Sequence, residues 1–246
     1  MTKSWNSGRA QRAPAESKRG AYHHGNLRSA LIEVAIEMIG TSGVSGFSMA
    51  EACRRLNVTV SAPYRHFADR NALLTAVAVQ SCETLAALLK PAADERTDPV
   101  DHLALLARAY VRFAAEYPAL FDTLYAKEVF FPGNVELAEA MLPVVEAFVA
   151  PARALEDTSP ELTVRLVVAV AAIAHGYAAF LRTGSFAGSD DPFRAAADNA
   201  ALATRALIAG REELKAERKA PEMMLAGLSA DLWVKTAARV LAGAAR

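Results

Sequence analysis

Residues 48–67, SMAEACRRLNVTVSAPYRHF, decide the fold. Ser48 and Glu51 stand at the spacing of an S-x-x-E capping box, which predicts that a short helix begins here. Met49, Ala52, Cys53 and Leu56 then share its inner face, while Arg54 and Arg55 point outward. Asn57 tolerates the left-handed conformation of a tight turn and ends the helix. Thr59 can cap a second helix, with Val58 and Pro63 placed like a hydrophobic staple. Two short helices joined by a tight turn are the arrangement that lays the second one in the DNA major groove, and small side chains at Cys53 and Ala62 allow the close crossing.

Upstream, Gly25 to Thr41 carries Leu27, Ala30, Leu31, Val34, Ala35, Met38 and Ile39 on one face, so it can cover the pair and complete a three-helix unit. Downstream, a helix from Asp69 to Lys90 opens with a capping Asp and can link this unit to the rest of the chain. Three more starts are marked by a capping residue before proline, at Asp98-Pro99, Ser159-Pro160 and Asp191-Pro192. Tyr117-Pro118 predicts a break, followed by a short segment to Tyr125 and a loop around Phe131, Pro132, Gly133 and Asn134. A helix from Val135 to Leu155 with a kink at Pro143, and an amphipathic piece from near Ser229, complete the pattern. No segment has strand periodicity. The expectation is an all-α fold of about nine or ten helices: a basic disordered tail over 1–20, a helix-turn-helix unit over 21–68 and a helical bundle over 69–246.

The 246 residues are 53% hydrophobic, enough for a sizeable core. The net charge of +0 conceals a split. Residues 1–70 hold ten Lys or Arg against five acids, which leaves a matching acidic excess on the remainder. A basic module suited to a polyanion, joined to an acidic module with another task, fits that split. Cys53 and Cys82 lie in helical segments, which predicts free thiols and a cytoplasmic chain. The basic N-terminus lacks the apolar stretch of a secretory signal. Leu162 to Leu181 is long and apolar enough to cross a bilayer, but Arg165 and His175 lie within it and no aromatic belt flanks it, so a bundle helix is expected and no membrane partner.

The stretch YHHGNLRSALIEVAIEMIGTSGVSGFSMAEACRRLNVTVSAPYRHFADRNALLTAVA, from Tyr22 to Ala78, resembles the N-terminal domain of TetR-family regulators along nearly its whole length. The family usually has Gly where Asn57 stands. The remaining chain is similar only in helix number and order, apart from AIAHGYAAFLRTG at 172–184, which resembles the His-Gly helix of a C-terminal subgroup whose usual Trp is missing here. The resemblance implies a homodimer, through the last two bundle helices, that binds a near-palindromic double-stranded operator, usually to repress, and answers to a small-molecule effector of unknown identity.

It also implies that Tyr64 and His66 reach phosphates, although either can instead pack in the small core. Val60, Ser61 and Ala62 stand where base edges are read, with Arg65 reaching sideways. Ser48, Thr59, Arg70 and His24 are candidates to fix the backbone register. Arg9, Arg12, Lys18 and Arg19 can enter the minor groove or simply be solvated. In the bundle, Phe113, Tyr117, Phe121, Tyr125, Met141, His175, Tyr177 and Arg182 are candidate ligand-binding residues, because a few polar groups among apolar walls make a pocket. Ala169, Ala172, Gly176, Ala196, Ala197, Ala200 and Ala201 predict close helix packing, within the subunit or across a two-fold axis. No catalytic constellation, cofactor motif or metal set is visible, and His23-His24 has no further ligands at suitable spacing. A helical enzyme using His175 and Arg182, or a DNA-binding protein whose bundle only dimerises, are the competing readings.

Overall fold

The computed structural model describes residues 27–91, 98–129 and 133–216. The tail, His23, His24, Phe131, Pro132 and the amphipathic piece from Ser229 lie outside the described residues. Those described form nine α-helices and one 3-10 turn, with no strand among them.

The N-terminal unit contains α1 (Leu27–Ser42), α2 (Met49–Leu56) and the 3-10 turn Pro63–Arg65. Every apolar residue expected on the inner face of α1 is buried except Leu27, which is half-buried. Asn57 closes α2 at φ 54°, ψ 44°. Its N–H bonds the Arg54 carbonyl and the Val58 N–H bonds the Cys53 carbonyl, a paired closure that satisfies two carbonyls at the helix end.

The helix α3 (Arg70–Leu89) leaves this unit and enters the bundle, capped by Asp69, whose carboxylate accepts from the Ala72 N–H at 2.8 Å. Next come α4 (Pro99–Glu116), α5 (Pro118–Leu124), α6 (Val135–Arg153), α7 (Pro160–Arg182), α8 (Pro192–Ala209) and the short α9 (Glu212–Ala216). Asp98, Ser159 and Asp191 each cap the helix that starts at the following proline, as their position predicts. Tyr117 both ends α4 and begins α5, because Pro118 has no N–H to continue the first helix. α6 is one assigned helix through Pro143 and Pro151.

α4 is the central helix and packs against α8, α7, α6, α3 and α5. The alanines Ala196, Ala197, Ala200 and Ala201 of α8 are buried within the chain, and α8 lies closely on α4. α5 is pressed between the two regions, touching α1, α3 and α4. The buried apolar residues form one continuous cluster from Leu31 to Ile208, so the N-terminal unit and the bundle share a core.

Among the described residues two helices, α3 and α7, are long and apolar enough to cross a membrane by length and composition alone. The apolar window of α3 is 56% buried inside the protein, whereas that of α7 is only 39% buried. An apolar face on α7 therefore stays uncovered by the described residues.

Candidate nucleic-acid interface and ligand cluster

The segment after α2 differs from the expected second α-helix. Pro63 has no N–H to offer the Thr59 carbonyl, and the Ala62 N–H takes that carbonyl instead, at 3.0 Å. The Arg65 and His66 N–H groups then bond the carbonyls three residues back, so the segment tightens into a 3-10 turn. Thr59 does not cap it; its hydroxyl lies 3.2 Å from that of Ser61.

The tight turn still sorts its side chains. Pro63 and Phe67 are buried, while Thr59, Val60, Ser61, Tyr64, Arg65 and His66 are exposed and Ala62 is half-buried. Val60 is 61% exposed and Tyr64 53%, high values for large apolar or aromatic groups. Neither Tyr64 nor His66 packs in the core. The positions expected to face DNA are thus displayed together on a turn anchored by two inward residues.

Basic side chains nearby have other tasks. Arg70 donates from Nε to the Phe47 carbonyl at 3.1 Å and from a terminal nitrogen to the Val44 carbonyl at 2.6 Å, with its guanidinium over the Phe47 ring. It holds the α1–α2 connection to α3, a scaffold role beside the phosphate contact expected of it. Arg28 lies over the Phe67 ring, 5.3 Å from its centroid. Arg54 and Arg55 both bind the Glu51 carboxylate, and the two guanidiniums hold its carboxyl down to about 2. Glu51 therefore does not complete the capping box. Ser48 has the extended backbone of an N-cap and an exposed side chain that makes no cap hydrogen bond. Cys53 is buried in the unit, and burial pushes its thiol up.

In the bundle, five expected ligand residues meet in one aromatic cluster: Phe113, Tyr117, Phe121, Tyr125 and His175. The His175 ring lies 4.2 Å from Tyr125 and 5.3 Å from Phe121, centre to centre. Tyr110 is the residue the sequence reading missed. Its hydroxyl donates to the Tyr125 hydroxyl at 2.6 Å, and its oxygen lies 3.2 Å from His175 Nδ1. With that proton committed to Tyr125, the Tyr110 oxygen accepts from the imidazole N–H. The signal was present, since Tyr110, Phe113 and Tyr117 fall at helical spacing on α4.

Burial sets the protonation of this cluster. It pushes the Tyr110 hydroxyl well above its ordinary value and the Tyr125 hydroxyl up to about 12, and it lowers His175. The Tyr125 residue is 36% exposed, but its hydroxyl end turns inward onto Tyr110. The cluster therefore presents neutral hydrogen-bonding groups among aromatic walls. Met141 is buried on α6. Tyr177 pairs with Phe186, and Arg182 is exposed and bound to Asp122 at 3.0 Å, so neither belongs to the aromatic cluster.

The model described as "Bacterial regulatory proteins, tetR family" matches residues 31–77. The model described as "Tetracyclin repressor-like, C-terminal domain" matches residues 103–207. No curated protein matches the chain at a significant level. Among solved structures, a protein of unknown function from Rhodococcus sp. RHA1 is 28% identical, with a TM-score of 0.62 over 77% of this chain and 96% of that one. A single-substitution variant of TetR from Acinetobacter baumannii, solved in complex with minocycline, is 21% identical, with a TM-score of 0.56 over 77% and 98%. The TetR family transcriptional regulator PfmR from Thermus thermophilus is 19% identical, with a TM-score of 0.52 over 72% and 96%. The last two likenesses show the fold; the two family models, which cover both the helix-turn-helix unit and the bundle, show the kinship. The chain belongs to the TetR family of DNA-binding transcriptional regulators.

Proposed function

We propose that the chain is a dimeric, effector-responsive repressor that binds a near-palindromic operator. The observation that carries the DNA half is the joint outward display of Thr59, Val60, Ser61, Tyr64, Arg65 and His66 on an anchored turn. Functionally the chain divides at 68/69, with 21–68 meeting DNA, 69–246 sensing and dimerising, and 1–20 adding basic charge. Buried free thiols at Cys53 and Cys82 suit a reducing cytoplasm.

Dimerisation is supported by the outer face of α7 and α8. Phe180 is 56% exposed and Leu202 64%, and a Cβ built on Gly176 meets nothing within 4 Å. A second copy covering this face makes an isologous interface and sets two recognition turns about one DNA turn apart.

Effector binding is supported by the neutral Tyr110–Tyr125–His175 network and by the drug-bound state of the Acinetobacter relative. The His175-Gly176 pair further supports a place in the His-Gly subgroup. The rings of the cluster rest on one another, so an entering ligand parts them. α3 is the lever, since it runs from the DNA-facing unit into the bundle and is bound there to α5. A coupling of about 1 to 3 kcal/mol is typical of such a link.

Genomic fragments retained by the purified protein test the reading as a whole. The expected product is a site with two related half-sites whose retention falls when a thermally stabilising metabolite is added. Retention of random DNA only, or the absence of any selective thermal shift across a metabolite library, contradicts the operator or the effector half respectively.

A further inference from the structure

The exposed turn from Thr59 to His66 is poor in the groups that read bases by hydrogen bonds. Guanine is read by the forked donors of Arg or by Lys, and adenine by the amide of Asn or Gln. Between Leu27 and Arg70 the sequence has no Lys and no Gln, and its one Asn, Asn57, closes α2 rather than standing on the turn. Of the five arginines in that span, Arg28 lies over Phe67, Arg54 and Arg55 hold Glu51, and Arg70 binds the Phe47 and Val44 carbonyls. Arg65 remains as the long donor of the turn, and it is exposed.

The hydroxyls of the turn do not discriminate. Those of Thr59 and Ser61 lie 3.2 Å apart, one donating to the other. A hydroxyl both donates and accepts, so it satisfies either kind of base edge. Pro63 is buried and Ala62 half-buried. What the turn displays in place of a donor is the branched methyl pair of Val60, 61% exposed and outside the continuous core. Tyr64, four residues on, is exposed with it, so apolar surface is gathered on this turn rather than scattered singly.

One base edge matches such a group. In the major groove thymine alone presents a methyl group, at C5, and contact with Val60 takes both apolar groups out of water. Cytosine in the same place presents an amino group, whose hydrogen bond to water Val60 displaces without replacing. The β-branched side chain has few rotamers to lose on contact.

We infer, on the proposed DNA-binding role of this turn, that Val60 is its specificity-determining residue and reads the C5-methyl group of a thymine in each half-site of the operator.

Duplexes copied from a genomic fragment that the intact protein retains test this, with thymines replaced one position at a time by deoxyuridine, which lacks only the methyl group. Binding is titrated for the intact protein and for Val60→Ala, whose fold is checked by thermal denaturation. One replacement in each half-site is expected to weaken the intact protein about fourfold, the transfer of one methyl group. The same replacement leaves Val60→Ala unaffected, so the two changes are not additive. Tight binding by the intact protein that ignores every deoxyuridine overturns the assignment and leaves the DNA-binding role standing. A loss on deoxyuridine that persists in full in Val60→Ala gives the methyl group to another residue and also overturns it. Retention of no fragment above random DNA overturns the operator reading and the role of Val60 with it.

Discussion

The Ser81 hydroxyl lies 3.0 Å from the carbonyl oxygen of Leu120 and 2.9 Å from that of Val77, inside the core. It joins α3 to α5, which carries Phe121 of the aromatic cluster, ends at Tyr125 and also touches α1. A second tie sits nearer the DNA-facing unit, where the buried Asn134 side chain reaches Thr75 of α3 while capping α6. α5 and α3 are therefore tied by a polar contact as well as by packing, and a displacement of α5 is expected to move α3. Ser81→Ala removes that contact with little change of volume. It is expected to lower stability by about 1 kcal/mol, read as a shifted urea midpoint at constant slope, and to weaken effector-driven release of DNA. Unchanged release in the variant means that the coupling runs elsewhere.

Arg70 and Arg65 separate scaffold from interface. Arg70→Met removes the guanidinium donor of the Phe47 and Val44 carbonyls, of which Val44 keeps the Phe47 N–H, and is expected to cost about 2 kcal/mol of stability. Arg65→Ala, on the exposed turn, is expected to stay within about 0.5 kcal/mol in stability and to reduce the salt dependence of DNA binding by about one ion. The reverse pattern, a stable Arg70→Met with weakened DNA binding, assigns Arg70 to the phosphate contacts instead.

Two glycines in the N-terminal unit should respond in opposite directions. A Cβ at Gly46 sits 2.5 Å from the Ser42 carbonyl oxygen, a backbone atom that cannot yield cheaply. Gly46→Ala is expected to destabilise by more than about 1 kcal/mol. A Cβ at Gly40 meets only the Ala119 Cβ, at 3.8 Å, which is ordinary contact between α1 and α5. Gly40→Ala is expected to stabilise by about 0.5 to 1 kcal/mol through helix propensity. Thermal denaturation of both variants decides it, and a loss at Gly40 means that α1 and α5 need to slide.

The aromatic cluster predicts a pH dependence. His175 has its pKa lowered by burial from an ordinary value of 6.5, so the unfolded chain takes up a proton before the folded one does. Tyr110 and Tyr125, the titratable groups at its ring, are raised and stay neutral over this range. The contribution of His175 is thus complete above about pH 6.5 and is lost as pH falls from there through its folded value. The slope cannot exceed about 1.4 kcal/mol per pH unit for one group. His175→Gln is expected to flatten the stability profile in this window. His102 is lowered by burial as well, so His102→Gln is the control that apportions the slope. A profile unaltered by His175→Gln contradicts the buried neutral imidazole.

What could be read from the sequence followed the range of each interaction. Helix boundaries at Asp98, Ser159, Asp191 and Asn57 depend on neighbours within three or four residues, and each was legible. Pro63 was visible too, but its effect depended on which N–H would take the Thr59 carbonyl, and the tighter turn won. The Ser48–Glu51 pattern was legible while its chemistry was not, because Arg54 and Arg55 compete for the same carboxylate. The scaffold role of Arg70 was not legible, because its carbonyl partners lie 23 and 26 residues earlier in the chain. For the same reason composition alone could gather Phe113, Phe121 and His175 as candidates but not see that Arg182 turns to Asp122 at the surface.

The central claim is that the exposed turn binds DNA through Tyr64 and its neighbours. The most direct measurement is a gel-shift titration, across salt concentrations, of the intact protein and of Tyr64→Ala and His66→Ala on a genomic fragment it retains. The expected result is folded variants with stabilities within about 0.5 kcal/mol of the parent and affinities reduced about tenfold, the weakening expected from losing a contact worth about 1.4 kcal/mol. Unchanged affinity and unchanged salt dependence in both variants would contradict the account.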